Sequence, residues 1–361
     1  MRCENSDARQ VPQGASPPGA PTLTDVLPDL DALLGAAHVV TLPMRVRFRG
    51  VGEREAVLLR GPRGWAEWAP FVEYADDEAA RWLAAGVELG WGELPAPVRA
   101  AVGVNATVPA VAADRVEGVL ARYDVSRTAK VKVAQAGQAL ADDVARVTEV
   151  RRVLGPGARI RVDANGAWSV PDALRALAAL APLGLEYAEQ PCASVEELAE
   201  LRVRLARAGL DVPVAADESI RRAEDPLRVA ELGAADLVVV KVAPLGGVAR
   251  ALEVVEGCGL PAVVSSALDS SVGLAAGVRL AAALPDLHYD CGLGTAALLA
   301  ADVVADPLLP VDGVLTTDRA DEARDGVDPR RMAAYRMGAE REQWWRDRLT
   351  RAHAVLAAAQ G

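Results

Sequence analysis

The chain reads as an α/β protein built around a closed parallel barrel, with a smaller α+β unit in front of it. Three observations lead there. From Val108 onward, short apolar strand-like runs alternate with helix-like stretches, and eight such runs can be counted. Eight βα repeats favour a closed barrel over an open sheet. An open doubly wound sheet would need a Gly-rich GxGxxG turn after its first strand, and none follows here.

Taken in order, residues 1–22 are polar and rich in Pro and Gly, and read as a disordered tail. Residues 23–107 read as the α+β capping unit. Val26 to Leu34 has helical periodicity. His38–Leu42, Met44–Phe48 and Ala56–Leu59 are strand candidates, Arg60–Gly64 is a turn, and Asp76–Leu89 is a helix. Residues 108–318 carry the barrel. Its strand candidates are Val108–Val111, Thr128–Val133, Arg159–Asp163, Leu185–Glu189, Val212–Asp217, Leu237–Val242, Ala262–Ser265 and Leu287–Cys291. Helical stretches such as Leu140–Leu154, Val170–Ala181 and Val195–Leu205 lie between them. Residues 319–361, with Trp344 and Trp345, are expected to return to the cap or the barrel exterior.

Composition narrows the function. Aromatic residues make up only 4% of the 361-residue chain, so Val, Leu and Ala must fill the core. The net charge of −11 leaves no footprint for nucleic acid or an anionic membrane surface. No apolar run is long enough to span a bilayer, and no secretory signal opens the chain. Cys3, Cys192, Cys258 and Cys291 form no CxxC pair, which points to a reduced, cytoplasmic protein. With only three histidines, acid/base chemistry must rest on carboxylates and lysines.

Three consecutive strands end in acids: Asp163, Glu189 and Asp217, the last followed by Glu218. Neighbouring strands lie about 4.8 Å apart, so these carboxylates converge at one barrel mouth. Alone, each would read as a helix cap or a solvated charge. Together they repel unless a cation joins them, and an all-oxygen set suits Mg²⁺, with Mn²⁺ able to substitute. Strand alternation puts Lys130 and Lys132 on one face of their strand, with the valines on the other. Lys241 ends the sixth strand. Inward lysines opposite carboxylates are paired by construction, and Lys130 beside Lys132 would lower the latter's pKa toward that of a usable base. A structural salt bridge is the plainer alternative for these lysines. A carboxylate substrate would sit between them, losing the proton on its adjacent carbon. Ser265, Ser266, Gly292 and Gly294, after strands seven and eight, offer hydroxyls and backbone N–H groups for an anionic substrate group.

These motifs resemble the enolase superfamily: Lys130-Val131-Lys132, Asp163-Ala164-Asn165, Glu189-Gln190-Pro191, Asp217-Glu218-Ser219 and Lys241. Within its muconate-lactonizing-enzyme-like subgroup the chain looks most like the o-succinylbenzoate synthase family. Val104–Pro109, Pro244-Leu245-Gly246-Gly247, Ser265-Ser266, Asp290–Gly294 and Gly64–Trp68 carry that narrower likeness. The resemblance implies a (β/α)7β TIM-like barrel under an N-terminal α+β capping domain. It implies Asp163, Glu189 and Asp217 as metal ligands, Lys132 as the base and later the acid, and Lys241 as the cation facing the enolate. Lys130, Arg161 and Asn165 would support them. The Gly64–Trp68 segment would be a loop that reaches the substrate. The implied reaction is a dehydration in menaquinone biosynthesis. Related barrels use the same lysine pair to racemise N-succinylamino acids, and a silent barrel that only binds a dicarboxylate is a third reading. Gly292, where dipeptide epimerases carry a second Asp, argues against that relative.

Overall fold

The computed structural model describes residues 26–48, 50–221 and 225–359; the expected tail at 1–22, and Cys3, lie outside them. The run expected as one helix from Val26 to Leu34 is interrupted: Val26 is helical, residues 27–29 are not, and a helix runs over Leu30–Gly35, capped by the Asp29 side chain, which accepts the Ala32 N–H at 2.8 Å. Three antiparallel strands follow in the order β1 (Ala37–Phe48), β2 (Val51–Gly61) and β3 (Gly64–Trp68). The two runs expected on either side of Pro43 are one strand. Proline is tolerated because β1 is an edge strand and its register breaks between Pro43 and Phe48. Gly61 and Gly64 pair across the expected turn. A Cβ on Gly61 would lie 2.1 Å from the Gly90 carbonyl oxygen, so the helix Asp76–Trp91 can approach this hairpin only over glycine.

The helix Ala339–Ala358 packs on that same small unit. Trp345 meets Trp68 edge-on at 5.5 Å, and Arg348 donates to the carbonyls of Pro70, Phe71 and Tyr74. A two-stranded antiparallel sheet, β4 (Ala101–Gly103) with β12 (Val314–Thr316), joins the ends of the barrel segment. Each strand of this pair is only three residues long and carries no periodic signal in the sequence.

The barrel wall is a parallel sheet of seven consecutive neighbours: β5 (Ala106–Val108), β6 (Thr128–Lys132), β7 (Arg159–Asp163), β8 (Leu185–Glu189), β9 (Val214–Ala216), β10 (Leu237–Val240) and β11 (Ala262–Val264). Two isolated parallel bridges, Ser265 with Gly292 and Val104 with Cys291, join its two edges and close the ring. The sequence placed the first strand too late: β5 ends at Val108, where Pro109 has no N–H to offer the ladder. The eighth run, Leu287–Cys291, is not a strand. Only Cys291 and Gly292 bridge, and the preceding residues are held by side chains instead, Asp290 by Thr128 at 2.5 Å and Tyr289 against Tyr187. Helices cover the outside. Leu140–Leu154 is where the periodicity put it, and Ser169 and Ser194 cap the helices Val170–Leu180 and Val195–Arg207.

Candidate active site

Strand β6 is buried along its whole length, and its alternation sends Lys130 and Lys132 inward while Ala129 and Val131 pack outward. Parallel register sets Lys132 beside Asp163 on β7, and Asp163 beside Glu189 on β8. Asp217 follows β9 directly, and Lys241 follows β10, at the head of the helix Val242–Leu245. Six strand-end side chains from five neighbouring strands are thereby gathered, each buried, with Asp217 fully so.

Their pairing is tight. Lys130 Nζ lies 2.8 Å from Glu189 Oε1 and 3.2 Å from Asp163 Oδ2. Lys132 Nζ donates to Asp163 Oδ2 and, at 2.7 Å, to Asn165 Oδ1. Lys241 Nζ lies 2.5 Å from Asp217 Oδ2, and Arg221 Nε 3.1 Å from Asp217 Oδ1. The electrostatics follow. Burial opposes charge on Asp163, but Lys132 and Lys130 outweigh it and hold that carboxyl well below its ordinary value. Burial is likewise overcome at Asp217, held at about 2 by Lys241 and Arg221. Glu189 goes the other way, to about 7: burial is joined by the Asp163 carboxylate, and Lys130 offsets only part. Lys130 is raised despite burial because Glu189 and Asp163 face it, so it is a fixed cation. Burial lowers Lys241, and Asp217 restores only part of the loss.

Among the described residues no three His, Cys, Asp or Glu side chains stand in finished metal-ligating geometry, because ammonium groups sit on the carboxylate oxygens. The donor set still fits a hard divalent ion. Glu189 Oε2 is buried with no hydrogen-bond partner, and Asp163 and Asp217 both press on that carboxyl electrostatically. An orphaned oxygen between two carboxylates is relieved by a cation that takes oxygen ligands.

A small cavity opens over the lysines. Lys130, Lys132, Lys241, Ser265, Ser266 and Gly292 line it, as the sequence expected. A Cβ on Gly292 would lie 2.4 Å from Ser265 Oγ, so a side chain there would have to displace that hydroxyl from the cavity wall. Three expected residues lie elsewhere. Gly294 packs against the Asn105 carbonyl and the Tyr123 ring. Arg161 sits one layer deeper, donating to Glu186, Asn105 and the Asp290 carbonyl between Tyr187 and Tyr289. Asn165 holds Lys132 from outside the lining, its own N–H donating to Asp163. The expected substrate-reaching loop at Gly64–Trp68 is strand β3. Trp68 is fully buried and donates to the Ala79 carbonyl, so it faces the cap core. The cap instead reaches the cavity through Phe48 and Phe71, the only two phenylalanines in the chain. That scarcity was the signal available in the sequence. Phe48 lies 5.3 Å from Lys132 Nζ. Arg221, also missed, fixes Asp217 and Glu218.

Residues 39–90 match the model of enolase N-terminal domain-like proteins, and residues 111–326 that of enolase C-terminal domain-like proteins. Muconate lactonizing enzyme from Pseudomonas putida shares the fold, with a TM-score of 0.68 at 22% identity over 83% of this chain and 98% of that one. Curated relatives are closer. The o-succinylbenzoate synthase of Mycolicibacterium smegmatis is 55% identical over 92% of this chain and all of that protein. Those of Mycobacterium tuberculosis and Mycobacterium leprae are 53% and 52% identical, over 92% and 93% of this chain and 98% and 97% of theirs. Enzymes of this superfamily are generally dependent on a divalent metal. The chain belongs to the o-succinylbenzoate synthase family of the enolase superfamily.

Proposed function

We infer that this chain is an o-succinylbenzoate synthase, a hydro-lyase of menaquinone biosynthesis acting in the cytoplasm. It converts 2-succinyl-6-hydroxy-2,4-cyclohexadiene-1-carboxylate to 2-succinylbenzoate by syn loss of water. The observation that carries the mechanism is the placing of Lys132 and Lys241 on one cavity, each against a buried carboxylate.

Asp163, Glu189 and Asp217 are the residues that would hold Mg²⁺, with Mn²⁺ as a substitute. When bound, the ion supplies Lewis-acid stabilisation of negative charge on the substrate carboxylate. Lys132 takes the proton from the carbon next to the ring carboxylate. Lys241, and the fixed cation Lys130, face the enediolate charge. The protonated Lys132 then gives that proton to the departing hydroxyl on the same face, and the ring becomes aromatic. One base thus serves both steps. Phe48, Phe71 and Leu268 exclude water from the ring.

The test is an assay of the Mg²⁺-loaded enzyme against the cyclohexadiene and, separately, an N-succinylamino acid. Efficient dehydration with slow or no racemisation is expected. Efficient racemisation without dehydration would move the chain to the racemases, and binding of either without turnover would leave a silent barrel.

A further inference from the structure

A second set of charged groups is buried where the small sheet meets the barrel. Arg54 on β2 is 3% exposed. Its Nε donates to the Leu268 carbonyl at 3.1 Å, and its Nη2 donates to the carbonyls of Ala69 and, at 3.3 Å, Ala267. Its guanidinium lies 4.5 Å from the Phe71 ring centroid. Ala267, Leu268 and Phe71 all line the catalytic cavity. Leu268 holds a left-handed backbone, φ +63°, which a branched side chain adopts only where its surroundings enforce it. The same turn is gripped from β3: Glu67 Oε2 accepts the Ser270 N–H at 3.0 Å. Asp269 closes it by accepting the Ala267 N–H at 3.1 Å. Gly273 leaves the room this needs, since a Cβ there would lie 2.8 Å from Glu67 Oε1.

We propose that Arg54 and Glu67 are positioning residues that latch the strained turn Ala267–Ser270, and with it Phe71, into the wall of the substrate cavity. The proposal rests on that cavity being the dehydratase site. Neither residue touches the lysines or the carboxylates of the cluster. Their effect should therefore fall on substrate binding rather than on the proton transfers. A planar five-donor guanidinium can serve several carbonyls and stack on a ring at once, which an ammonium cannot reproduce.

The test compares Arg54→Met, Arg54→Lys, Glu67→Ala and Glu67→Gln as Mg²⁺-loaded enzymes. Arg54→Met should raise KM by about tenfold or more with kcat within about threefold, and Arg54→Lys should recover part of the loss. Glu67→Ala should act in the same direction, whereas Glu67→Gln, whose amide oxygen still accepts from Ser270, should stay near wild type. Amide exchange, read without substrate, should show lost protection at Ser270 in Arg54→Met and Glu67→Ala. Unchanged KM and unchanged protection in both would overturn the latch. If Arg54→Met fails to fold, the Glu67 pair decides alone. A wild type that cannot dehydrate would sink the assigned reaction, while the exchange data would still judge the latch.

Discussion

Two buried ionic clusters lie within one cavity wall of each other, and they are satisfied in opposite ways. At the barrel mouth, lysines answer carboxylates side chain to side chain, and one carboxylate oxygen of Glu189 is left without a partner. Behind the Ala267–Ser270 turn, Arg54 answers backbone carbonyls and Glu67 answers a backbone N–H. Side-chain pairs can be exchanged for a ligand without moving the chain. Backbone pairs cannot, because the groups they satisfy are the fold itself. The first cluster is built to be rearranged, and the second to stay still while that happens.

The largest effects should come from breaking the exchangeable cluster. Asp163→Asn, Glu189→Gln and Asp217→Asn should each lower turnover by on the order of a thousandfold or more, and chelation of the wild type should do the same until Mg²⁺ or Mn²⁺ is returned. Full activity in metal-free protein would contradict this. Lys241→Arg should cost less, about ten- to a hundredfold in dehydration, because the fixed charge facing the enediolate survives. Any racemisation of N-succinylamino acids should disappear, since that reaction needs a second base. Equal retention of both activities would remove Lys241 from either role.

The smallest effect separates the clusters by pH. Burial beside Asp269 pushes Glu67 up to about 7 from an ordinary 4.5, against the pull of Arg54 and Ser270. An acid whose folded pKa is raised is kept protonated by the fold. Its contribution to stability is present below the unfolded value and lost as pH rises toward 7. Thermal melts between about pH 5 and pH 7.5 should show this decline in the wild type, and a flatter profile in Glu67→Gln. Identical profiles would mean that Glu67 is ionised throughout.

Which parts were legible follows the same division. Strands β7 and β8 and the inward pair Lys130 and Lys132 could be read from the chain, because alternation and strand-end acids are local signals. The eighth strand could not, because its apolar run pairs only at Cys291 and Gly292. Trp68 misled because a likeness in sequence carries position, not environment, and the residue turned out to seal the cap core against Trp345. Arg54 gave no local sign at all. Its partners Ala267 and Leu268 are more than two hundred residues away in the chain, at separations of 213 and 214, and meet it only once the barrel has closed.

The central claim is that Lys132 moves the proton. It is tested most directly by comparing turnover of the cyclohexadiene by Mg²⁺-loaded Lys132→Ala and wild type at equal, fully folded concentrations. A loss of about a thousandfold or more, with Mg²⁺ affinity retained, is the expected result. Turnover within about tenfold of the wild type would contradict it.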